Sequence, residues 1–248
     1  MKPPVILVIR SDDPFSFLLR DGGCEVLNLE LIKTAPADDL SGLHEKLARI
    51  EDYDGLFFTS PAAAEVFAER AIGTGPMFTG KIYVLGERAR TVLERYDFDI
   101  IHAENANTAE DMIGSFDASE FEGKRLLFVR GDKSLRTIPE LLKGKANVDE
   151  VVVYQTIELQ PDEDKTWDLR ERFERGEIDW ICFFSPSGVE SFRKLFASEV
   201  TGNVKAAAIG DTTARKAQEL RLNVDFISQR ATAEDFASGL IGHIKNIE

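Results

Sequence analysis

Several things are scarce in this sequence. Cysteine occurs twice, at Cys24 and Cys182, both inside apolar strand-like runs. Such thiols read as buried free cysteines of an intracellular protein, not as a disulfide framework. Histidine occurs three times, at His44, His102 and His243, never at the spacing of a ligand pair, so no metal site is expected. The longest apolar runs, such as Val5–Ile9 and Ala206–Ile209, are of strand length. Crossing a bilayer takes roughly 20 apolar residues, so no membrane span is expected. Basic charge is in deficit: 44 acids face 30 Lys and Arg, a net charge of −14. Duplex nucleic acid requires clustered positive charge, and an anionic membrane surface repels an acidic chain. Met1-Lys2-Pro3-Pro4 leads into a strand-like segment without a signal-peptide pattern, so a cytoplasmic location is expected. The P-loop, the Rossmann glycine fingerprint and the G-x-S-x-G elbow are all missing.

What is present is an ordinary globular composition, 43% hydrophobic and 30% charged over 248 residues. That length suits one large domain or two small ones. Strand-like runs are Val5–Arg10, Glu25–Leu31, Gly55–Thr59, Lys81–Leu85, Asp99–His102, Arg125–Arg130, Glu150–Glu158, Trp180–Phe184, Val204–Ile209 and Val224–Ile227. Helix-like stretches separate most of them. Strands apolar almost throughout and alternating with helices predict an α/β protein with parallel sheets.

An internal repeat refines this. The segment from Asp54 through Ser60-Pro61 to Phe67 matches that from Asp179 through Ser185-Pro186 to Phe192, 125 residues later. Gly86 and Gly210, and Thr108-Ala-Glu-Asp111 and Thr232-Ala-Glu-Asp235, repeat at an offset of 124. Two similar domains follow. After Asp111 the first copy continues strand–helix–strand, whereas after Asp235 the chain ends in one helix. The missing piece stands at the other end, where Val5–Asp12 echoes Leu126–Asp132. One parse therefore joins 1–34 to 159–248 around a second domain, 35–158, with polar crossings near 33–39 and 160–165. The competing parse is a tandem cut near 116–123, which needs only one linker.

In open α/β sheets, ligands bind beyond the carboxyl ends of the strands. Here Thr59-Ser60-Pro61 and Ser185-Pro186-Ser187 place Ser at the N-cap and Pro at N1. Gly86, and Gly210 with Thr212 and Thr213, open two more helices, and Thr108 and Thr232 begin capping boxes. Taken singly, each is ordinary helix capping. Matched across two domains, they would aim many N–H groups at one cleft, which is an anion receptor. Among strand-end cations (Arg10, Arg88, Arg130, Lys133), the better candidates are Arg130 and Lys133, because Gly131 between them lets backbone approach a ligand. The run Arg170–Arg175, with its i,i+3 and i,i+4 charge pairs, reads as an exposed helix face.

The ordered set Phe58-Thr-Ser-Pro61, Thr108–Asp111, Val129-Arg-Gly131, Val153-Tyr-Gln-Thr156, Phe183–Gly188 and Ala207–Ala214 resembles the uroporphyrinogen-III synthase family, over about Val5 to Ile241. The resemblance implies two flavodoxin-like parallel-sheet domains, a discontinuous first domain, a two-stranded connector and an interdomain cleft. It implies a cofactor-free, metal-free lyase that takes hydroxymethylbilane, inverts ring D and closes uroporphyrinogen III. Tyr154 is then the acid for the departing hydroxyl. Thr59, Ser60, Ser185, Ser187, Gly210, Thr212 and Thr213 correspond to the family's cleft-lining loops. The first copy departs: Ala89 and Arg90 follow Gly86 where the family threonine would stand, unless Arg88 or Arg90 supplies a charge instead. Two other classes share the pattern, a two-domain binding protein and a synthase relative without turnover. Two polar crossings and no extended apolar stripe favour a monomer.

Overall fold

The computed structural model describes residues 2–72, 78–96, 98–103, 106–196 and 204–247. In chain order the first elements are β1 (Val5–Val8), α1 (Pro14–Asp21), β2 (Glu25–Asn28), β3 (Ile32–Pro36), α2 (Ser41–Leu47), β4 (Gly55–Phe58), α3 (Pro61–Ala71) and β5 (Lys81–Val84). There follow α4 (Glu87–Leu93), β6 (Ile100–His102), α5 (Ala109–Gly114), β7 (Arg125–Gly131), α6 (Thr137–Leu141) and β8 (Asn147–Glu158). The last are α7 (Glu163–Glu174), β9 (Trp180–Phe183), α8 (Pro186–Leu195), β10 (Lys205–Ala208), α9 (Asp211–Glu219), β11 (Asn223–Ile227) and α10 (Ala233–Ile247). The chain forms two compact units, Met1–Lys33 with Glu158–Glu248, and Thr34–Ile157.

The first unit's sheet is parallel, in the order β11-β10-β9-β1-β2. Counted within the unit, that is 2-1-3-4-5. The second unit's parallel strands run β8-β7-β4-β5-β6. This is the same order once β7 and β8 are counted first. One architecture is thus threaded from two starting points: β1-α1-β2 opens the first unit, and its counterpart β7-α6-β8 closes the second.

Alternation along each strand feeds two cores per sheet. In the first unit Val5, Leu7, Ile181 and Phe183 join one apolar cluster, while Ile6, Val8, Trp180 and Cys182 join the other. In the second, Leu56, Phe58, Ile82 and Val84 pack on one face, and Phe57, Tyr83, Leu126 and Phe128 on the opposite one. Both faces being covered explains why the central strands read as unbroken apolar runs.

The sequence predicts only a polar crossing at 33–39, whereas part of it is strand β3, at the edge of the six-stranded sheet beside β8. Ala37 N donates to Val153 O (2.9 Å) and Leu159 N to Leu31 O (2.8 Å), so the pair runs antiparallel. None of the five residues of β3 is buried, and a strand without a buried face has no apolar signature. Both passages of the chain between the units, at 33–34 and 157–158, lie in these two strands. Neither Cys24 nor Cys182 is in a disulfide. Among the described residues no helix is long and apolar enough to cross a membrane, and no cluster of side chains is arranged to hold a metal ion.

Candidate functional site

In a 2-1-3-4-5 sheet, the connections leave in opposite directions from strands 1 and 3, and a crevice opens beyond their carboxyl ends. In the second unit these strands are β7 and β4. Their register ends with Phe58 opposite Val129, so Thr59 and Ser60 leave β4 beside Arg130 and Gly131, the last two residues of β7. Ser60 Oγ accepts from Ala63 N at 3.2 Å, and Pro61 fills N1, so the helix start is capped as the sequence predicts.

The Arg130 loop is rigidly held. The guanidinium Nε lies 2.7 Å from Glu150 Oε2, and Nη1 donates to Gly131 O (2.9 Å) and Ser134 O (3.3 Å). The ion pair sets two partly buried opposite charges against each other, so Arg130 is committed to its own loop. Asp132 Oδ1 accepts from Lys133 N and Thr156 N, both at 2.9 Å, and Asp132 N donates to Tyr154 O at 3.0 Å. Lys133 is exposed at the loop's tip.

Tyr154 sits on β8 opposite Gly131, where a bulge shifts the β7–β8 register. The half-buried Tyr154 packs against the second unit's core, and its ring covers Gly131. A β-carbon on residue 131 would lie 2.7 Å from Tyr154 Oη. Here glycine is required by close approach, not by backbone torsion. Among the described residues Tyr154 Oη has no hydrogen-bond partner, which leaves its proton available to a ligand.

The first unit repeats the arrangement at β1 and β9. Ser185 Oγ accepts from Gly188 N (3.1 Å) and lies 3.2 Å from Ser187 Oγ. Beside it Arg10 pairs with Asp13 at 3.0 Å and stacks over Phe184, 4.4 Å from the ring centroid. Asp13 also caps α1, accepting from Phe15 N and Ser16 N.

Gly86 and Gly210 follow strand 4 in each unit, but their backbones differ. Gly86 has φ +87°, a conformation that favours glycine, while Gly210 is extended at φ −178°. Neither helix start has a side-chain cap. Thr213 and its counterpart Ala89 are both buried, and Thr212 is half-buried. The sequence-predicted residues therefore fall into two sets, one per unit. Thr59, Ser60, Gly86, Arg130, Lys133 and Tyr154 are in one, and Ser185, Ser187, Gly210, Thr212 and Thr213 in the other. Glu150, the partner of Arg130, carried no sequence signal, because 20 residues and a helix separate them.

The strongest carboxylate shift lies elsewhere. Lys81, hydrogen-bonded to Glu120, does most to pull its carboxyl down to about 2, with Tyr83 and Lys124 assisting. Burial first, and then Glu120, push the Tyr83 hydroxyl upward. Lys81 opens β5, so this network braces the amino end of the sheet. Tyr53, donating to Asp149 at 2.7 Å, leads the lowering of the Asp149 carboxyl, helped by Arg125 and Lys46, again at the amino ends.

A family model described as uroporphyrinogen-III synthase HemD matches residues 13–238. The uroporphyrinogen-III synthase of Chlorobaculum parvum is 28% identical over 200 residues, 78% of this chain and 80% of that protein. Among solved structures, a mutant uroporphyrinogen III synthase of the extremely thermophilic bacterium Thermus thermophilus has a TM-score of 0.68 at 17% identity, covering 98% of this chain and 99% of its own. The Helicobacter pylori uroporphyrinogen-III synthetase has a TM-score of 0.61 at 17% identity, covering 97% and 99%. At that identity the two structures speak to the fold: a pair of α/β domains with parallel sheets.

Proposed function

The chain belongs to the uroporphyrinogen-III synthase (HemD) family, and from that premise we propose that it converts hydroxymethylbilane to uroporphyrinogen III. The reading has it act as a monomeric cytoplasmic lyase in tetrapyrrole synthesis, without metal or cofactor. Its sheets follow the flavodoxin-like strand order, which puts the binding loops at the carboxyl ends.

Hydroxymethylbilane is a linear chain of four pyrroles, each with acetate and propionate groups. Loss of its terminal hydroxyl as water gives a delocalised azafulvenium cation. The substituted carbon of ring D attacks that cation, forming a spiro intermediate. Fragmentation and reclosure then invert ring D, and a proton leaves to restore the aromatic pyrrole. The pyrrole is its own nucleophile, so the protein's contribution is chiefly orientation and the exclusion of direct closure.

The observation that carries this reading is the Tyr154 hydroxyl, unpartnered among the described residues. It is held over Gly131 by a braced loop, and Gly131 ends β7, the strand that pairs with β4 and so neighbours the chain leading to Thr59-Ser60. In this role Tyr154 gives its proton to the departing hydroxyl. Serine and threonine hydroxyls and backbone N–H groups in the strand-end loops of each unit donate to the substrate's carboxylates. None of these donors requires a net basic protein. The test is genetic: expressed in a cell lacking its own synthase, the chain is expected to restore tetrapyrrole supply. Continued auxotrophy with soluble protein present would count against the reading.

A further inference from the structure

The strand-end loops hold few cations, and most are already neutralised. Leaving aside the two crossings between the units, which hold Lys33 and Lys165, the segments from each strand's carboxyl end through the first three residues of the next helix contain Arg10, Arg88, Arg130, Lys133, Arg136 and Arg230. Arg10 is paired with Asp13 at 3.0 Å. Arg130 and Arg136 share Glu150, at 2.7 and 2.5 Å. Lys133 is engaged as well. Arg88 and Arg230 remain; both are exposed, and neither forms an ion pair among the described residues.

Their settings differ in an informative way. Arg88 follows Gly86, where the counterpart loop offers Thr212 and Thr213 and this one has Arg88 and Ala89. The neighbouring Arg90 is taken up by Glu94 (2.6 Å) and Glu87 (3.5 Å), so it is not the replacement charge. Arg230 follows β11, in the turn before α10. There the buried Ser228 donates to Arg230 O at 2.6 Å, and Ser228 N donates to Ala208 O at 3.0 Å, which fixes the backbone from which the guanidinium projects. The counterpart position in the second unit is Ala106. Each unit thus has one uncompensated arginine at its strand ends, on different loops.

We propose that Arg88 and Arg230 bind carboxylate groups of the substrate, and that Arg88 replaces the missing threonine hydroxyl of the Gly86 loop with charge. The inference rests on the tetrapyrrole reading and adds which side chains offset the repulsion between an acidic protein and a polyanion. A guanidinium meets a carboxylate with two parallel N–H donors, and it keeps its charge throughout the pH range of the reaction.

The test compares Arg88→Gln, Arg230→Gln and the double variant with Arg95→Gln and Lys245→Gln, which remove exposed cations outside these loops. With hydroxymethylbilane, each single site variant is expected to raise KM about threefold and the double variant about tenfold, with kcat unchanged, as loss of an exposed ion pair predicts. The rise of KM with salt should be shallower in the double variant. Arg88→Lys should recover part of the loss, while the two distant variants and all melting temperatures stay at the wild-type value. Unchanged KM in both single variants, or an equal rise in the distant ones, would overturn the inference alone. A wild-type protein that makes no uroporphyrinogen III would sink the functional reading and this inference with it.

Discussion

The ring of Tyr154 occupies the space that a side chain at residue 131 would need, with Oη 2.7 Å from the position of a β-carbon on Gly131. The contact joins β7 to β8 at the bulge and fixes where the hydroxyl stands. Replacing Gly131 by Ala forces the ring aside and, as overpacking, is expected to cost about 1–3 kcal/mol. Adding Tyr154→Ala should return much of that stability. Denaturant titrations of the two single variants and the double variant measure the coupling. Additive losses would show that the ring and the glycine do not compete for space.

Tyr154→Phe keeps the ring and removes only the proton donor. It should leave stability near wild type and lower kcat more than any other single side-chain change in the site, about 10²-fold, the usual scale for one general acid. No single variant should abolish turnover, because orientation supplies most of the effect. Normal rates in Tyr154→Phe beside complete loss in Thr213→Ala would reverse the assignment.

Ser60 and Ser185 do structural work whatever they bind. Each accepts a hydrogen bond from the third residue of its helix. Ser60→Ala and Ser185→Ala are each expected to cost about 1 kcal/mol of stability. The two losses should be independent, since each lies in its own unit. A change in KM larger than the melting shift explains would indicate direct ligand contact.

Glu120 gives the fold a pH dependence. Its folded pKa, about 2, lies below the ordinary glutamate value, so the stabilisation is present above pH ~4.3 and is lost as pH falls toward 2. Glu120→Gln should therefore destabilise the protein at neutral pH, and its stability should vary less with pH between ~4.5 and ~2 than wild type. Parallel wild-type and variant curves across that window would contradict the role given to Lys81 and Tyr83.

Much of the sheet architecture was legible because buried parallel strands are apolar on both faces: β1, β4 and β9 are buried at every residue. The helix starts at Ser60, Ser185, Thr108 and Thr232 were legible because capping is local chemistry, resolved within three residues. Strand β3 was not, since Lys33, Thr34 and Pro36 are exposed and its pairing comes from β8, more than 100 residues away. Gly86 and Gly210 looked equivalent, but a repeat reports residue identity and not torsion, and their φ angles differ. The pairing of Arg130 with Glu150 was not legible either, because nothing in the sequence shows that Glu150 reaches it across the β7–β8 ladder. Which charges are paired in this way is a property of the tertiary structure, not of local sequence.

The most direct test is the isomer formed from hydroxymethylbilane. Purified protein is incubated with freshly made substrate, the product is oxidised to porphyrin, and the isomers are separated. The account predicts uroporphyrin III as the main product, with the spontaneous isomer I suppressed in proportion to enzyme. Isomer I alone, at the rate seen without protein, would contradict it.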